Sequence, residues 1–292
     1  MKMVDFAHRV LQKYIYQEWN IAIATMNNDL SLSNIKWMQH NFKDRWYADP
    51  FIVDDSDDYY IILAEEYMHI NRKGRIARLT VSKKDCVLVN NETILDLPTH
   101  LSFPNTMAID GDIYLYPENA ESGNTKYYKY GDICVYKGTL SLSPLADPTI
   151  FRLKDKYYLF ATLDDECNGN RLRVFESNKA LGEYKEVQQI VFSDCTARRA
   201  GNVFFHNGEM ISPAQICNDK YGQGICFQKI TLSDDGKFSL TDIRRDFPPT
   251  RDYPEGFHTY NIYKNNCVVI DGYRYGSKML HNLYVKIRRT GV

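Results

Sequence analysis

The sequence lacks the marks of several protein classes. Its seven cysteines, an odd number, are scattered singly with no C-x-x-C pair, which argues against a disulfide framework and against a zinc knuckle. The formal net charge is -1, from 36 basic and 37 acidic side chains. The basic pairs Arg198-Arg199 and Arg244-Arg245 are too short to form a phosphate-binding stripe. We therefore expect no nucleic-acid partner.

Long apolar runs are also missing. No segment approaches the roughly 20 consecutive apolar residues that span a membrane, and polar residues interrupt positions 1–19 too often for a signal peptide. We therefore expect a cytoplasmic protein without a membrane span. No glycine-rich phosphate loop is present, and Asp110-Gly111-Asp112 is better explained as a hairpin turn than as a nucleotide-sugar motif. We expect no cofactor, and nothing in the spacing of the acids requires a metal ion.

The composition that remains is typical of a globular β-rich chain. Apolar residues make up 44% of the 292 positions and aromatic residues 13%, led by 22 tyrosines. This is enough to bury a sizeable core, and tyrosines favour strands. The chain is long for one domain, but closed all-β architectures reach roughly this size as one unit.

A short motif recurs along the chain. The segment WYADPF at 46–51 returns as LADPTI at 145–150, and each copy is followed by a polar turn and an aromatic-rich run. Related strand-turn-strand openings begin near residues 101, 199 and 256. Four short strands between polar turns are the content of one blade of a β-propeller. Five repeated units therefore predict a five-bladed ring.

The predicted ring covers residues 19–292 as a single all-β domain. Its last unit is short of strands, so the strands predicted at 19–24 and 35–38 would complete it and leave no bare sheet edge. Residues 1–18 are expected to form a helical segment, because apolar side chains recur at near-helical spacing over 5–18. The alternative fold is a β-sandwich built from the same short strands.

Blade geometry indicates where functional side chains would meet. The first strand of a blade lines the central channel and the second returns antiparallel beside it, so the start of one and the end of the other share a mouth. These positions carry carboxyl, imidazole and guanidinium groups around the whole ring. They are Asp49, Glu65, Glu66, His100, Ser102, Glu118, Asp147, Arg199, Gln215, His258, Tyr260 and Asp271.

Such a group of carboxylates indicates glycosyl chemistry. One carboxyl with a raised pKa protonates the leaving oxygen, and another acts as base or nucleophile across the sugar. Crowding of like charges is one way to raise such a pKa. Arg199 is a candidate for holding a carboxylate or phosphate, and His258 for carrying a proton. Trp46, Tyr67 and Tyr260 are candidates for stacking on a sugar ring.

Plainer explanations exist for several of these residues. An aspartate before a proline often only initiates a turn, which applies to Asp49 and Asp147. Glu66 follows Glu65 on a strand and so points the other way, where we expect it to be exposed to solvent. His100 could simply satisfy backbone groups between blades.

Taken in order, the motifs resemble one family. They are W-x-A-D-P-F at 46–51, H-L-S-F-P at 100–104, Y-P-E at 116–118, A-D-P-T-I at 146–150, R-R-A-G-N at 198–202, P-A-Q at 213–215 and G-F-H-T-Y-N at 256–261. The set resembles the five-bladed propeller domain at the N-terminus of plant glucosamine inositolphosphorylceramide transferases, also found in bacterial surface-polysaccharide loci. The resemblance extends from about residue 19 to about residue 271.

The resemblance implies a set of site residues. That domain is similar in architecture to arabinanase, xylosidase and fructosidase propellers, which place two aspartates and one glutamate in a central pocket. By this likeness Asp49 and Asp147 are the catalytic aspartates and Glu118 is the proton donor. The substrate-binding set expected around them is Trp46, Glu65, His100, Arg199, Gln215, His258 and Tyr260.

Three functions are compatible with this sequence. The first is a glycosyltransferase-like enzyme of bacterial surface-polysaccharide biosynthesis, with a sugar donor and a glycan acceptor as partners. The second is a glycoside hydrolase of the furanosidase or xylosidase type. The third is a non-catalytic sugar-binding propeller that serves a partner glycosyltransferase. The missing signal peptide favours the first, since sugar donors are cytoplasmic.

Overall fold

The structure is a computed structural model that describes residues 17–277 and 279–280. Within these residues, twenty strands form five four-stranded sheets, joined by turns and three single-turn 3-10 helices. This is a nearly all-β, five-bladed propeller, as the repeats predict. No helix in the described part of the chain is both long enough and apolar enough to cross a bilayer.

Each blade is an antiparallel sheet. Strands β1 (Gln17–Met26) and β2 (Leu32–Trp37) precede blade one. Blade one contains β3 (Arg45–Asp55), β4 (Tyr59–Met68), β5 (Lys73–Ser82) and β6 (Leu88–Leu95), and blade two contains β7 (Ser102–Ile109), β8 (Asp112–Glu118), β9 (Thr125–Lys129) and β10 (Val135–Ser141). Blade three contains β11 (Leu145–Leu153), β12 (Lys156–Leu163), β13 (Arg171–Ser177) and β14 (Lys185–Val191). Blade four contains β15 (Phe204–His206), β16 (Glu209–Ile216), β17 (Gly224–Leu232) and β18 (Phe238–Asp246), and β19 (Tyr260–Ile262) and β20 (Cys267–Tyr275) begin blade five.

Blade five joins the two ends of the described chain. Its strand order is β19-β20-β1-β2, and β1 pairs with β20 from Gln17 opposite Tyr275 to Thr25 opposite Cys267. The N-terminal strands therefore form the outer half of a blade whose inner half comes from the other end of the sequence. Most of the helix expected over 5–18 lies outside the described residues, and positions 17 and 18 belong to β1.

The apolar core lies between blades. Between blades five and one, for example, Ile21 and Val269 pack against Tyr47, Ile62 and Leu79, all of them buried. Fully burying an aliphatic side chain stabilises a fold by roughly 1.5–3 kcal/mol. The faces of the sheets supply this burial. Polar side chains occupy the ends of the innermost strands at the hub.

The innermost strands bend at the hub. Asp49, Phe103 and Asp147 hold equivalent places in blades one, two and three, each directly before a proline, and each has a positive φ of 51°, 43° and 46° respectively. At each place the pairing between the first and second strand is interrupted. Such bulges re-aim side chains, and a left-handed conformation is uncommon for residues other than glycine. The recurring motif therefore directs backbone and side chains into the centre of the ring.

Candidate active site

A cavity of about 660 Å³ lies where first strands begin and second strands end. Carboxyl, imidazole and guanidinium groups line it together with five aromatic rings. They are Asp49, Glu65, Glu118, His69, His100, Arg72 and Arg198, with Trp19, Trp46, Tyr67, Tyr221 and Tyr275. Of the predicted site residues, Trp46, Asp49, Glu65, His100 and Glu118 are thus brought together at one cavity.

Carboxylates at the hub bind the backbone of the next blade. Asp271 accepts a hydrogen bond from the N–H of Asp49 at 3.0 Å. Asp49 accepts one from the N–H of Phe103 at 3.1 Å, and Glu118 accepts one from the N–H of Asp147 at 2.9 Å. In each case the donor is the left-handed residue before a proline. These carboxyls are therefore fixed in position and also hold neighbouring blades together.

Asp49 lies at the start of blade one, facing blade five. Its Oδ1 accepts a hydrogen bond from the Thr259 hydroxyl at 2.9 Å and lies 3.8 Å from Nε2 of His258. Burial raises the pKa of Asp49 to about 6, against the opposing charge of His258. At neutral pH the group is ionised, yet it remains basic enough to accept a proton from a substrate.

His258 is held by Asp271. Its Nδ1 lies 2.7 Å from Oδ2 of Asp271, whose Oδ1 accepts the N–H groups of His258 and Thr259. Although burial alone lowers it, the charges of Asp271 and Asp49 raise the pKa of His258. Ligand atoms of Asp49, His258 and Asp271 lie within 4.8 Å of one another, a spacing that suits a cation. Every carboxylate oxygen in this set already accepts a hydrogen bond from the protein.

Arg198 joins the carboxyls of blades two and three. Its Nε donates to Oδ2 of Asp147 at 2.5 Å, and its Nη2 donates to Oε2 of Glu118 at 3.3 Å. Gln215 also donates to Oδ2 of Asp147, at 2.6 Å. Asp147 is buried behind this arginine and does not line the cavity. Burial and the neighbouring Asp147 raise the pKa of Glu118 well above its usual range, although Arg198 opposes the shift.

Glu65 of β4 lines the cavity and lies beside His100. The side chain is buried, and within the described residues its Oε1 has no hydrogen-bond partner. Nε2 of His100 lies 3.4 Å away, while Nδ1 of His100 accepts the N–H of Gly74 at 3.0 Å. Burial raises the pKa of Glu65 well above its usual value, and the charges of Asp49 and Glu118 add to the shift.

Aromatic rings form one wall of the cavity. Trp46 and Tyr67 stack with centroids 4.5 Å apart and an interplanar angle of 2°. Trp19 lies 6.5 Å from Trp46 and stacks on His258 at 4.0 Å. His258 therefore lies behind Trp19 and next to Asp49. Flat aromatic faces beside hydrogen-bonding groups suit a ligand that has both apolar and polar sides, as sugars have.

Four predicted substrate-binding residues do not line the cavity, namely Arg199, Gln215, His258 and Tyr260. Arg199 is fully buried and donates to Ser212, Gln228 and the carbonyl groups of 196 and 197. Its neighbour Arg198 takes the place at the cavity, because adjacent side chains point in different directions. Tyr260 donates its hydroxyl to the Leu30 carbonyl at 3.2 Å and packs in the core between blades four and five. The structure therefore places the side chains of Arg199 and Tyr260 in the core and not at the cavity.

Trp19, Arg198 and Tyr221 line the cavity but are not among the predicted site residues. Arg198 was passed over in favour of the arginine beside it. Trp19 begins the strand that was assigned to the outer half of the last blade, and Tyr221 lies in the loop between β16 and β17. The ring of Tyr221 lies 5.0 Å from the Arg198 guanidinium. The only sequence signal for these three residues was an arginine whose predicted position lies among acidic residues from several blades.

The fold is a five-bladed β-propeller similar to those of family-43 glycoside hydrolases. A thermostable family-43 glycoside hydrolase superposes with a TM-score of 0.58 at 12% identity, over 81% of this chain and 89% of that one. A family-43 β-1,3-galactosidase with bound galactodeoxynojirimycin gives a TM-score of 0.53 at 9% identity, over 69% and 77% of the two chains. At such identities the likeness concerns the fold alone.

Residues 15–253 match the family model of the N-terminal region of glucosamine inositolphosphorylceramide transferase 1, and the chain belongs to this family. The Arabidopsis thaliana protein of that name is 27% identical over 196 residues, which is 63% of this chain and 25% of the plant protein. The chain thus spans about a quarter of the length of this curated relative. The family resemblance inferred from the motifs is confirmed, and the protein is related to glycosyltransferases.

Proposed function

We propose that this protein is a glycosyl-transferring enzyme of bacterial surface-polysaccharide biosynthesis that works in the cytoplasm, with the central cavity as its active site. The observation that carries the proposal is that Asp49, Glu65 and Glu118, from two blades, line one cavity beside the stacked rings of Trp46 and Tyr67. Membership of a family named for a transferase supports transfer of the sugar.

The protonation states expected in the cavity suit cleavage of a glycosidic bond. Such cleavage needs one neutral carboxyl to protonate the leaving oxygen and one carboxylate to receive the proton of the incoming group. The raised pKa values of Glu65 and Glu118 favour the neutral form of each carboxyl. Asp49, with a pKa of about 6, supplies the carboxylate. Asp147 acts as a positioning residue, because it fixes Arg198 and Glu118.

The charges favour a glycoside as the donor over a sugar diphosphate. Three carboxyls line the cavity, and of the two arginines there Arg198 is already bound to Glu118 and Asp147. A diphosphate would meet like charges and a guanidinium that is already engaged. A donor whose leaving group is a sugar or alkyl oxygen would instead use the neutral carboxyls. Hydrolysis is the second candidate function, since the same groups would serve it with water in place of the acceptor hydroxyl.

The test uses aryl glycosides as donors. Galactosyl, arabinofuranosyl and N-acetylglucosaminyl donors, each with and without an oligosaccharide acceptor, are incubated with the protein and the products are identified by mass spectrometry. A transferred sugar on the acceptor supports the proposal, whereas free sugar alone supports the hydrolase. Binding without turnover of any donor would contradict both and leave a sugar-binding module.

Asp49→Asn tests the site itself. The amide keeps the shape of the carboxyl but cannot accept the proton, so kcat should fall by about 100-fold or more. Asp235→Asn is a matched control, because Asp235 lies exposed in the turn between β17 and β18, where it forms only local contacts. An Asp49→Asn protein that retains full activity would place the chemistry elsewhere.

A further inference from the structure

We propose that Glu65, rather than Glu118, is the catalytic residue that protonates the leaving oxygen of the donor. This inference rests on the glycosyl chemistry proposed above. The carboxyl of Glu65 lines the cavity, and its Oε1 is buried without a hydrogen-bond partner among the described residues. A group that gives its proton to a ligand must have such an unoccupied oxygen.

The other two cavity carboxyls accept hydrogen bonds from the backbone of neighbouring blades. Glu118 receives the N–H of Asp147 and the guanidinium of Arg198 on one oxygen. Both oxygens of Asp49 accept protein donors, one from the backbone of Phe103. Glu118 and Asp49 therefore hold blades together, and a guanidinium stabilises the ionised form of Glu118. The charges that act most strongly on Glu65 are those of carboxyls, so ionising it would leave a buried charge uncompensated by its main neighbours.

The space that the Glu65 carboxyl occupies exists because residue 74 is a glycine. A Cβ on Gly74 would lie 2.5 Å from Oε1 of Glu65, 2.9 Å from Cε1 of His100 and 2.4 Å from the Leu101 carbonyl oxygen. Only a residue without a side chain lets this carboxyl and imidazole meet over the β5 backbone. Gly74 thus shapes the place in which the carboxyl lies.

His100 has a fixed tautomer beside this carboxyl. Its Nδ1 accepts the Gly74 N–H at 3.0 Å, so the neutral ring carries its proton on Nε2. That N–H lies 3.4 Å from Oε1 of Glu65 but is too poorly aligned for a hydrogen bond. Burial lowers the pKa of His100, which keeps the ring neutral. The imidazole therefore packs beside Glu65 without supplying the positive charge that would ionise it.

The carboxyls around Glu65 favour its protonated form. Asp49 of β3, Glu118 of β8, Asp147 of β11 and Asp271 of β20 are carboxyls whose charges raise the pKa of Glu65 in addition to its burial. In the proposed step the bond between the anomeric carbon and the leaving oxygen breaks. Its electron pair stays on that oxygen, which takes the proton of Glu65. The acceptor hydroxyl bonds to the anomeric carbon and gives its proton to Asp49, and solvent restores both carboxyls.

The test compares two leaving groups. A phenyl glycoside needs a proton to leave, whereas a dinitrophenyl glycoside leaves as a stable anion and needs almost none. Glu65→Gln should therefore lower kcat on the phenyl glycoside by about 100-fold or more, with a much smaller loss on the dinitrophenyl glycoside. Glu118→Gln should lower both rates by a similar factor, since it disturbs the position of Arg198 and Asp147.

The pH profile gives an independent readout. Glu65 acts while protonated, so the wild-type rate on the phenyl glycoside should fall as pH rises through its raised pKa. That descending limb should vanish in Glu65→Gln. If Glu118→Gln instead shows the leaving-group dependence and loses the limb, the inference is wrong while the proposed function stands. A wild-type protein that turns over none of the galactosyl, arabinofuranosyl or N-acetylglucosaminyl donors would overturn both.

Discussion

Two adjacent glutamates on β4 are both buried but have opposite surroundings. Glu66 is fully buried and its Oε1 accepts hydrogen bonds from Arg45 at 2.7 Å and Asn91 at 2.6 Å. Its Oε2 accepts one from Arg75 at 2.6 Å. Glu65, one position earlier, lines the cavity, and its buried Oε1 has no hydrogen-bond partner among the described residues. Strand alternation alone separates the two environments.

The pKa values of the two groups move in opposite directions. Burial alone would raise both, but hydrogen bonds from Arg75, Asn91 and Arg45 hold the pKa of Glu66 below its usual value. Nothing comparable offsets the burial of Glu65. On one face of β4, two arginines therefore compensate for the desolvation of the Glu66 carboxylate. On the other face, the main neighbours of Glu65 do not compensate for its desolvation. An uncompensated buried acid is retained where it serves chemistry, and it lowers stability.

The largest expected effect is on stability. Glu66→Gln removes the charge that pairs with Arg45 and Arg75, so the free energy of unfolding should fall by about 3 kcal/mol, at the low end for a broken buried pair because both arginines keep some contact with water. Glu65→Gln should change it by less than about 1 kcal/mol or increase it, since an unpartnered acid is lost. Urea denaturation at neutral pH measures both. Equal losses of unfolding free energy in the two variants would show that the different surroundings of Glu65 and Glu66 do not affect stability.

The architecture was readable from the sequence because its signals repeat. The Asp-Pro motif at Asp49 and Asp147 and the regular spacing of turns gave five blades, and the rule for blade geometry then brought Trp46, His100 and Glu118 to one mouth. Those residues line the observed cavity. Side chains at the start of an inner strand or at the end of a second strand have few other places to point.

Side-chain direction was not readable where the strand pattern breaks. Arg198 and Arg199 lie outside any regular strand, in the segment between β14 and β15, so alternation does not decide which one faces the hub. Glu66 was expected in solvent, and it is buried because Arg45 and Arg75 on the flanking strands cover it. Alternation gave the correct side for Glu66 but not what covers that side. Partners supplied by other strands decide this, and one sequence does not identify them.

Gly74→Ala tests whether the position of Glu65 at the cavity depends on the absence of a side chain at residue 74. The new Cβ would lie within 3 Å of Glu65, His100 and the Leu101 backbone, so the free energy of unfolding should fall by about 2 kcal/mol. The rate on the phenyl glycoside should fall with it, because Glu65 is displaced. Gly131→Ala is the matched control, since its Cβ would meet only a carbonyl oxygen at 3.5 Å. Similar behaviour of both variants in urea and in rate would contradict the assignment of Gly74 as the support of Glu65.

The smallest effect is the dependence of stability on pH, and it separates the two glutamates by sign. Glu66 has a lowered pKa in the folded protein, so its stabilisation is present above its unfolded pKa of about 4.3 and is lost as pH falls through the folded pKa. Glu65 has a raised pKa, so its contribution is complete below about 4.3 and is lost as pH rises toward the folded pKa. The stability of Glu65→Gln relative to wild type should therefore increase with pH above about 4.3, by at most about 1.4 kcal/mol per pH unit. The deficit of Glu66→Gln should instead shrink as the solution becomes acidic. Urea midpoints from acidic to neutral pH test both slopes, and a flat difference for Glu65→Gln would mean that Glu65 is ionised in the folded protein and has no proton to donate.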